Sequence, residues 1–338
     1  MTVQGVILAG GHGKRLRPLT ETTPKVLLEI KDNYSILEKQ LMDFKHAGID
    51  EVYLLIGYLG DQIEEKFGDE CNGIKLVYLK EDKPLGTLWA LRNALKDMDS
   101  DVVVRNGDVL TDINIRELIG VAQKAEELIT IAVTEMQSPF GVVEFQDRKI
   151  ISFKEKPYLG LYINAGIYYI KKVTFKYFDR DYEKKEIEQT VFLDLVDERK
   201  AGVYSEEEAF WRSVDSIKDL EAVRDEYANR KDKPWGYEKI VVNNEKYLVK
   251  ELYLKKGFKT SLHYHPNKDE SMHILSGEGY IEYKENGKSK DPVAMGKVIR
   301  IKPNTKHSIV ATNNLRIFEY STPHPEDTVR LKDFYNRK

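Results

Sequence analysis

From Gly5 to about residue 170, strand-length apolar runs alternate with helical periodicity, and beyond Trp235 the helical repeat stops. VILAGG ends in glycines and leads through a long loop to SILEKQLMDFKHAG, where Ile36, Leu37, Leu41 and Phe44 recur at helical spacing before Gly48. EVYLLIG (51–57), a polar helix around DQIEEKF, KLVYL (75–79), a helix through Leu88, Leu91 and Leu95, and DVVVRNGD (101–108) continue the alternation. Such a pattern implies a Rossmann-like α/β domain with a mixed, mostly parallel sheet covered on both faces. LITIAVTEM (128–136) and INAGIYYI (163–170) extend the sheet, and GVVEFQ with KIISFKEK reads as an antiparallel hairpin. The charged run ending at Pro234 places a linker near residues 225–233, with one domain at 1–228 and a second at 229–338. In the second, YLVKELYL, MHILSGEGYIEYKE, KVIRIKP and LRIFEYS are short strands separated by turn residues, as in an all-β barrel or jelly roll.

Lysine and arginine (53) nearly balance aspartate and glutamate (56), so the net charge of -3 gives no reason to expect a nucleic-acid partner. Cys71 is the single cysteine and forms no intrachain disulfide, which fits a reducing cytoplasm. No run approaches the ~20 apolar residues of a membrane span. The expectation is a cytoplasmic protein without a membrane partner.

GGHGKRLRPLTETTPK (10–25) sets three glycines among cationic residues directly after a strand. Glycines admit backbone N–H groups to phosphate oxygens, and Lys14, Arg15 and Lys25 supply charge. Neither the Walker spacing nor G-x-G-x-x-G is present, so a flexible surface loop is the competing reading of this stretch alone. The whole string resembles the signature AGG-x-G-x-RL-x-PLT-x-x-x-PK of the sugar-phosphate nucleotidyltransferase family. KPLGT (83–87), NGDVLTD (106–112), FKEKP (153–157), INAGIY (163–168) and FWRSVDSIKDL (210–220) follow in that family's order.

The resemblance implies attack of a sugar 1-phosphate oxygen on the α-phosphorus of a nucleoside triphosphate, with release of pyrophosphate. It assigns Arg15, Lys25 and Asp108 to catalysis. Leu8, Ala9, Gly10, Gly11, Gly13, Lys14, Pro84, Gly86, Thr87, Asn106 and Gly107 would bind nucleotide, and Gly141, Glu155, Lys156 and Asn164 the sugar phosphate. Mg²⁺ would sit on Asp108 and Asp215; relatives with W-x-D-I-G-T put an aspartate where Ser213 stands here. Trp89 reads as helix core. NGDVLTDI, PFGVVEF and INAGIY look most like the mannose-1-phosphate guanylyltransferase branch, while Asp215 resembles cytidylyltransferases, so base and sugar stay open between GTP with mannose 1-phosphate, CTP, and heptose 1-phosphate.

Three of the seven histidines fall in SLHYHPNKDESMHILSGEG (261–279). His-x-His on a strand points both imidazoles to one face, and Glu270 with His307 would complete a set suited to Zn, Fe, Mn or Ni. His273 falls on a different part of the following strand and reads as structural. The spacing resembles the cupin motifs, and KPWGYE (233–238) with HPEDTVRLKDFY (324–335) resembles the cupin of type II mannose-6-phosphate isomerases. That resemblance implies a second, isomerase activity or sugar-phosphate binding, with Lys250 a candidate base, and both resembled folds commonly form homo-oligomers. A nucleotide sensor without turnover is the reading from another class; retention of Arg15, Lys25, Asp108 and Lys156 argues against it.

Overall fold

The computed structural model describes the chain except residues 1, 82, 84, 85, 208, 285–287 and 336–338. Contacts divide it into two units, residues up to Val223 and residues from Arg224.

An eight-stranded sheet organises the first unit, in the order Ala201–Ser205, Ile129–Gln137, Tyr158–Ile170, Asp101–Asn106, Val3–Leu8, Glu51–Ile56, Ile74–Lys80, Glu70–Cys71. Val3–Leu8 pairs parallel with both neighbours, whereas Tyr158–Ile170 runs antiparallel between its own. Both faces are covered, because successive strand residues point to opposite sides and each set is apolar. Ile7, Leu54 and Val103 join Leu37, Leu41 and Phe44 on one side; Val6, Val104 and Tyr168 join Leu88, Leu91 and Phe192 on the other. Helix Ile36–Ala47 starts at a reciprocal cap between Ser35 and Glu38 and stops at Gly48, whose φ of 88° lies in the left-handed region. The hairpin Val142–Gln146 and Lys149–Lys154 stands as a separate two-stranded sheet. Among the described residues no helix is long and apolar enough to cross a membrane.

All-β in the second unit takes the form of two antiparallel sheets around one core, not a closed barrel. The six-stranded sheet ends at Arg230–Lys233 and Val298–Ile301, the five-stranded one at Lys288–Ala294 and Val329–Lys332. Every one of these edge strands carries lysine or arginine, and KSKDPVA adds a proline, which disfavours the ladder pairing that closure requires. Leu252, Met272 and Ile317 of one sheet meet Ile281 and Ile309 of the other in the shared core.

Residues 225–233, expected as a linker, are ordered as the end of helix Ile217–Tyr227 and the strand Arg230–Lys233. Charge there does not mean solvent. Arg230 is 4% exposed, stacks between the rings of Tyr227 (4.4 Å) and Tyr237 (3.9 Å), and pairs with Asp232 at 2.9 Å.

A second buried ionic cluster sits in the first unit. Arg105, fully buried in the central strand, donates to Asp43 at 2.8 Å and to the Val109 carbonyl at 3.3 Å, while Lys39 pairs with the other oxygen of Asp43. Two cations therefore depend on one carboxylate. Asp43→Asn is expected to destabilise the protein by about 3–5 kcal/mol, because it leaves both buried charges undercompensated; urea unfolding checks this, and a midpoint equal to wild type would contradict it.

Candidate functional site

Leu8, Ile56 and Asn106 end neighbouring strands on the same edge of the sheet, where open α/β sheets bind ligands. A cleft of about 290 Å³ opens there, lined by Leu8, Ala9, Gly10, Gly11, Lys25, Gly86, Thr87, Asn106, Gly107 and Asp108. Gly107 must be glycine for steric reasons: a Cβ would lie 2.4 Å from the Leu8 carbonyl oxygen, which accepts the Gly107 N–H at 3.0 Å. Beneath the cleft, Gln40 donates its side-chain N–H groups to the carbonyls of Asn106 (3.0 Å) and Val109 (2.8 Å). Together with Arg105 it fixes the turn that carries Asp108.

Beside the cleft, Gly13, Lys14, Arg15, Leu16, Lys25 and Asp215 line a second opening of about 320 Å³. Lys25 links the two. Its ammonium lies 2.8 Å from Asp108 and 3.2 Å from Asp215, with only 11% of the side chain exposed. Arg15 reaches the same Asp215 oxygen at 3.8 Å from an open position, its side chain 81% exposed. Backbone pairing explains why residues 107 apart in sequence meet: Trp211–Ser213 pairs antiparallel with Val109–Thr111, and the Val214 N–H donates to the Asp108 carbonyl at 2.9 Å. Burial alone would raise the Asp215 carboxyl, yet the Ser213 hydroxyl, donating at 2.8 Å, and the Lys25 ammonium hold it below the ordinary aspartate range. Ser213 thus supports Asp215. Two carboxylates converging on one point form an oxygen-only donor pair of the kind a hard divalent cation takes.

The residues assigned to the sugar phosphate are less concentrated. Gly141, Glu155 and Lys156 gather at the base of the hairpin: a Cβ on Gly141 would be 3.0 Å from Glu155, and Lys156 reaches Glu155 at 4.0 Å. None of the three lines the cleft. Asn164 donates to the Tyr168 hydroxyl at 2.8 Å and accepts from the Gly166 N–H at 2.8 Å, which ties it to the wall near Asn106. Pro84 lies outside the described residues. Trp89, read from the sequence as helix core, is 40% exposed with the Arg92 guanidinium over its ring at 4.4 Å; it falls on the outer face between buried Leu88 and Leu91.

Two acidic cleft residues were missed, Glu81 and Glu186. Glu186 accepts from the Thr87 hydroxyl at 2.9 Å. Glu81 follows the strand Ile74–Lys80, burial pushes its carboxyl above the ordinary range, and its Oε1 is buried without a hydrogen-bond partner. Only its place directly after the strand Ile74–Lys80 marks it in the sequence.

In the second unit His263, His265 and His307 converge, with one ring nitrogen from each lying within 4.8 Å of the others. Each Nδ1 faces a backbone carbonyl, of Ser261 at 2.7 Å, Asp327 at 2.9 Å and Thr305 at 3.0 Å. A carbonyl only accepts, so each Nδ1 carries a proton, and in a neutral ring the Nε2 then keeps its lone pair. Loss of water and the neighbouring His307 hold His263 down to about 3, so it is neutral at physiological pH. Glu270 Oε1 lies 3.2 Å from His307 Nε2, and its Oε2 lies 2.7 Å from the buried Lys268 ammonium. Three converging imidazoles with a carboxylate beside them fit a divalent transition metal. His273 stands on the other face of the strand Glu270–Ser276, opposite Val298, as alternation implies.

Residues 4–230 match the nucleotidyl transferase family. The D-glycero-alpha-D-manno-heptose 1-phosphate guanylyltransferase of Aneurinibacillus thermoaerophilus is 34% identical over 208 residues, 57% of this chain and 89% of that protein. The mannose-1-phosphate guanylyltransferase catalytic subunit beta of Drosophila pseudoobscura pseudoobscura is 32% identical over 228 residues, 64% of this chain but only 60% of that protein's length. In fold, the chain is similar to HddC from Yersinia pseudotuberculosis complexed with GMP-PN, with a TM-score of 0.52, 22% identity, and coverage of 67% of this chain and 100% of that one.

The support of Asp215 by Ser213 is open to measurement. Ser213→Ala is expected to move the Asp215 titration upward with little change in melting temperature, as followed by carboxyl ¹³C NMR; an unshifted titration would remove Ser213 from this role.

Proposed function

The chain belongs to the nucleotidyl transferase family, and we propose that its first unit transfers GMP from GTP to a sugar 1-phosphate, with mannose or heptose 1-phosphate as acceptor. The observation that carries this reading is the Lys25 ammonium held between Asp108 and Asp215 at the mouth of a glycine-walled cleft. A phosphate oxygen of the acceptor attacks the α-phosphorus, the bond to the β-phosphate breaks, and pyrophosphate leaves. Lys25 neutralises charge at the reacting phosphate. Arg15, exposed at the neighbouring opening, meets the leaving pyrophosphate, and the glycine backbone lets the phosphates approach closely. Mg²⁺ on Asp108 and Asp215 would spread the negative charge of the triphosphate.

Glu81 supports guanine. A desolvated carboxylate with an unpartnered oxygen favours a base edge that presents adjacent N–H donors, and guanine offers N1–H beside its 2-amino group. Uracil and thymine present a single N–H between two carbonyls, which a carboxylate repels. The names of the similar guanylyltransferases point to the same base.

For the second unit we infer a transition-metal centre on His263, His265 and His307, with Glu270 at its side. The isomerase activity implied by the cupin resemblance rests on that centre alone. Such a metal would polarise a carbonyl or hydroxyl oxygen.

Pyrophosphate release across GTP, CTP, UTP, dTTP and ATP with mannose, glucose, fructose and heptose 1-phosphates tests the transferase. GTP with a manno-configured acceptor is expected to dominate, Arg15→Ala to lower kcat by roughly 100- to 1,000-fold, and Glu81→Gln to erode the preference for GTP. Turnover led by CTP would overturn the base assignment, and no turnover in any pair would favour a sensor. Metal analysis with a mannose 6-phosphate isomerisation assay tests the second unit: one equivalent of metal in wild type and none in His307→Ala is the expected result, whereas equal content in both would remove the centre.

A further inference from the structure

We propose that the cavity of the second unit binds a small oxyanion, a carboxylate or a phosphate, with the Lys250 ammonium as its charge partner. This goes beyond the transferase reading and stands without it. The cavity measures about 210 Å³ and is lined by His263 and His265 of the histidine cluster together with Lys250, Glu238, Thr260 and Ser261. Lys250 projects from the strand Leu248–Leu254 and is 8% exposed. Its ammonium makes no hydrogen bond with any described residue. The nearest carboxylate, Glu238, is 3.9 Å away and already lies 3.2 Å from the Lys233 ammonium. A buried ammonium held this far from an anion is costly unless something else satisfies it.

A contrary imbalance lies next to it on the same sheet: Glu319, the cross-strand partner of Lys250, and Glu270 share the Lys268 ammonium at 2.8 Å and 2.7 Å, so neither is left to pair with Lys250. His263, from the five-stranded sheet, and His265 line the cavity as well. An oxyanion on Lys250 would present its remaining oxygens to a cavity that also carries these two imidazoles, so the chemistry selected is that of a small chelating anion. Ser261 belongs to the same lining, whereas the Thr260 hydroxyl is already engaged by the Ser261 carbonyl and the Ile309 N–H. This assigns Lys250 to ligand binding, a different role from the proton-shuttling base.

The test titrates the full chain, loaded with one equivalent of Zn²⁺, separately with malonate and with inorganic phosphate in a calorimeter. Saturable binding of at least one probe is expected in wild type, weakened about tenfold or more in Lys250→Met and kept within a few-fold in Lys250→Arg, with Zn²⁺ content and melting temperature unchanged. Binding of malonate alone would identify a carboxylate ligand, and binding of phosphate alone a phosphoryl one. If Lys250→Met fails to fold, Lys250→Gln is read in the same way. Binding that survives the loss of Lys250 belongs to another part of the chain and would overturn the proposal, as would wild-type protein that takes up neither probe.

Discussion

Lys25 is the point on which the first unit's chemistry turns. An ammonium between two carboxylates stabilises itself and keeps Asp108 and Asp215 close without mutual repulsion, although the two residues come from separate strand ends. Nothing in this arrangement is local. Pro24 and the short turn Lys25–Leu27 aim the lysine, Arg105 and Gln40 fix the turn that carries Asp108, and pairing of Trp211–Ser213 with Val109–Thr111 brings Asp215 alongside. The parallel sheet matters because it collects these ends on one edge.

The second unit solves a different electrostatic problem by the same means. Its histidines are fixed through backbone carbonyls, so their orientation depends on the chain path through Ser261, Thr305 and Asp327 more than on side-chain packing. Lys268 sits fully inside because two carboxylates offset its desolvation, and that ion triad holds Glu270 in place beside His307. Among the described residues, the buried cations Arg105, Arg230 and Lys268 are matched by carboxylates, whereas Lys250 and one oxygen of Glu81 are less well paired, and each of these two faces a cavity.

Most strands and helices were legible because burial imposes periods of 2 and 3.6 on the sequence, and the alternation of the two implied the layered first unit. The glycine loop and the His-x-His pair were legible for a related reason: both are short-range patterns whose geometry follows from the backbone alone. What failed depended on tertiary context. Arg230 and its neighbours look like a solvated linker, yet two tyrosine rings and acidic partners bury the guanidinium. Trp89 has core-like chemistry but falls on the outward side of its helix. Glu81 belongs to a charged stretch that reads as loop, and only the fold reveals that it lines the cleft. The all-β class of the second unit was legible from its short strands, while its division into two antiparallel sheets depends on long-range pairings that no strand pattern announces.

The central claim is that Asp108 and Asp215 act as one cation site beneath the triphosphate. Mn²⁺ binding in the presence of a non-hydrolysable GTP analogue, followed by electron paramagnetic resonance, tests it most directly. The account predicts that Asp108→Asn and Asp215→Asn each weaken Mn²⁺ by at least about tenfold, and that the double variant loses little more than the worse single one. Full-strength Mn²⁺ binding in Asp215→Asn would contradict it, leaving Asp215 as a partner of Lys25 alone.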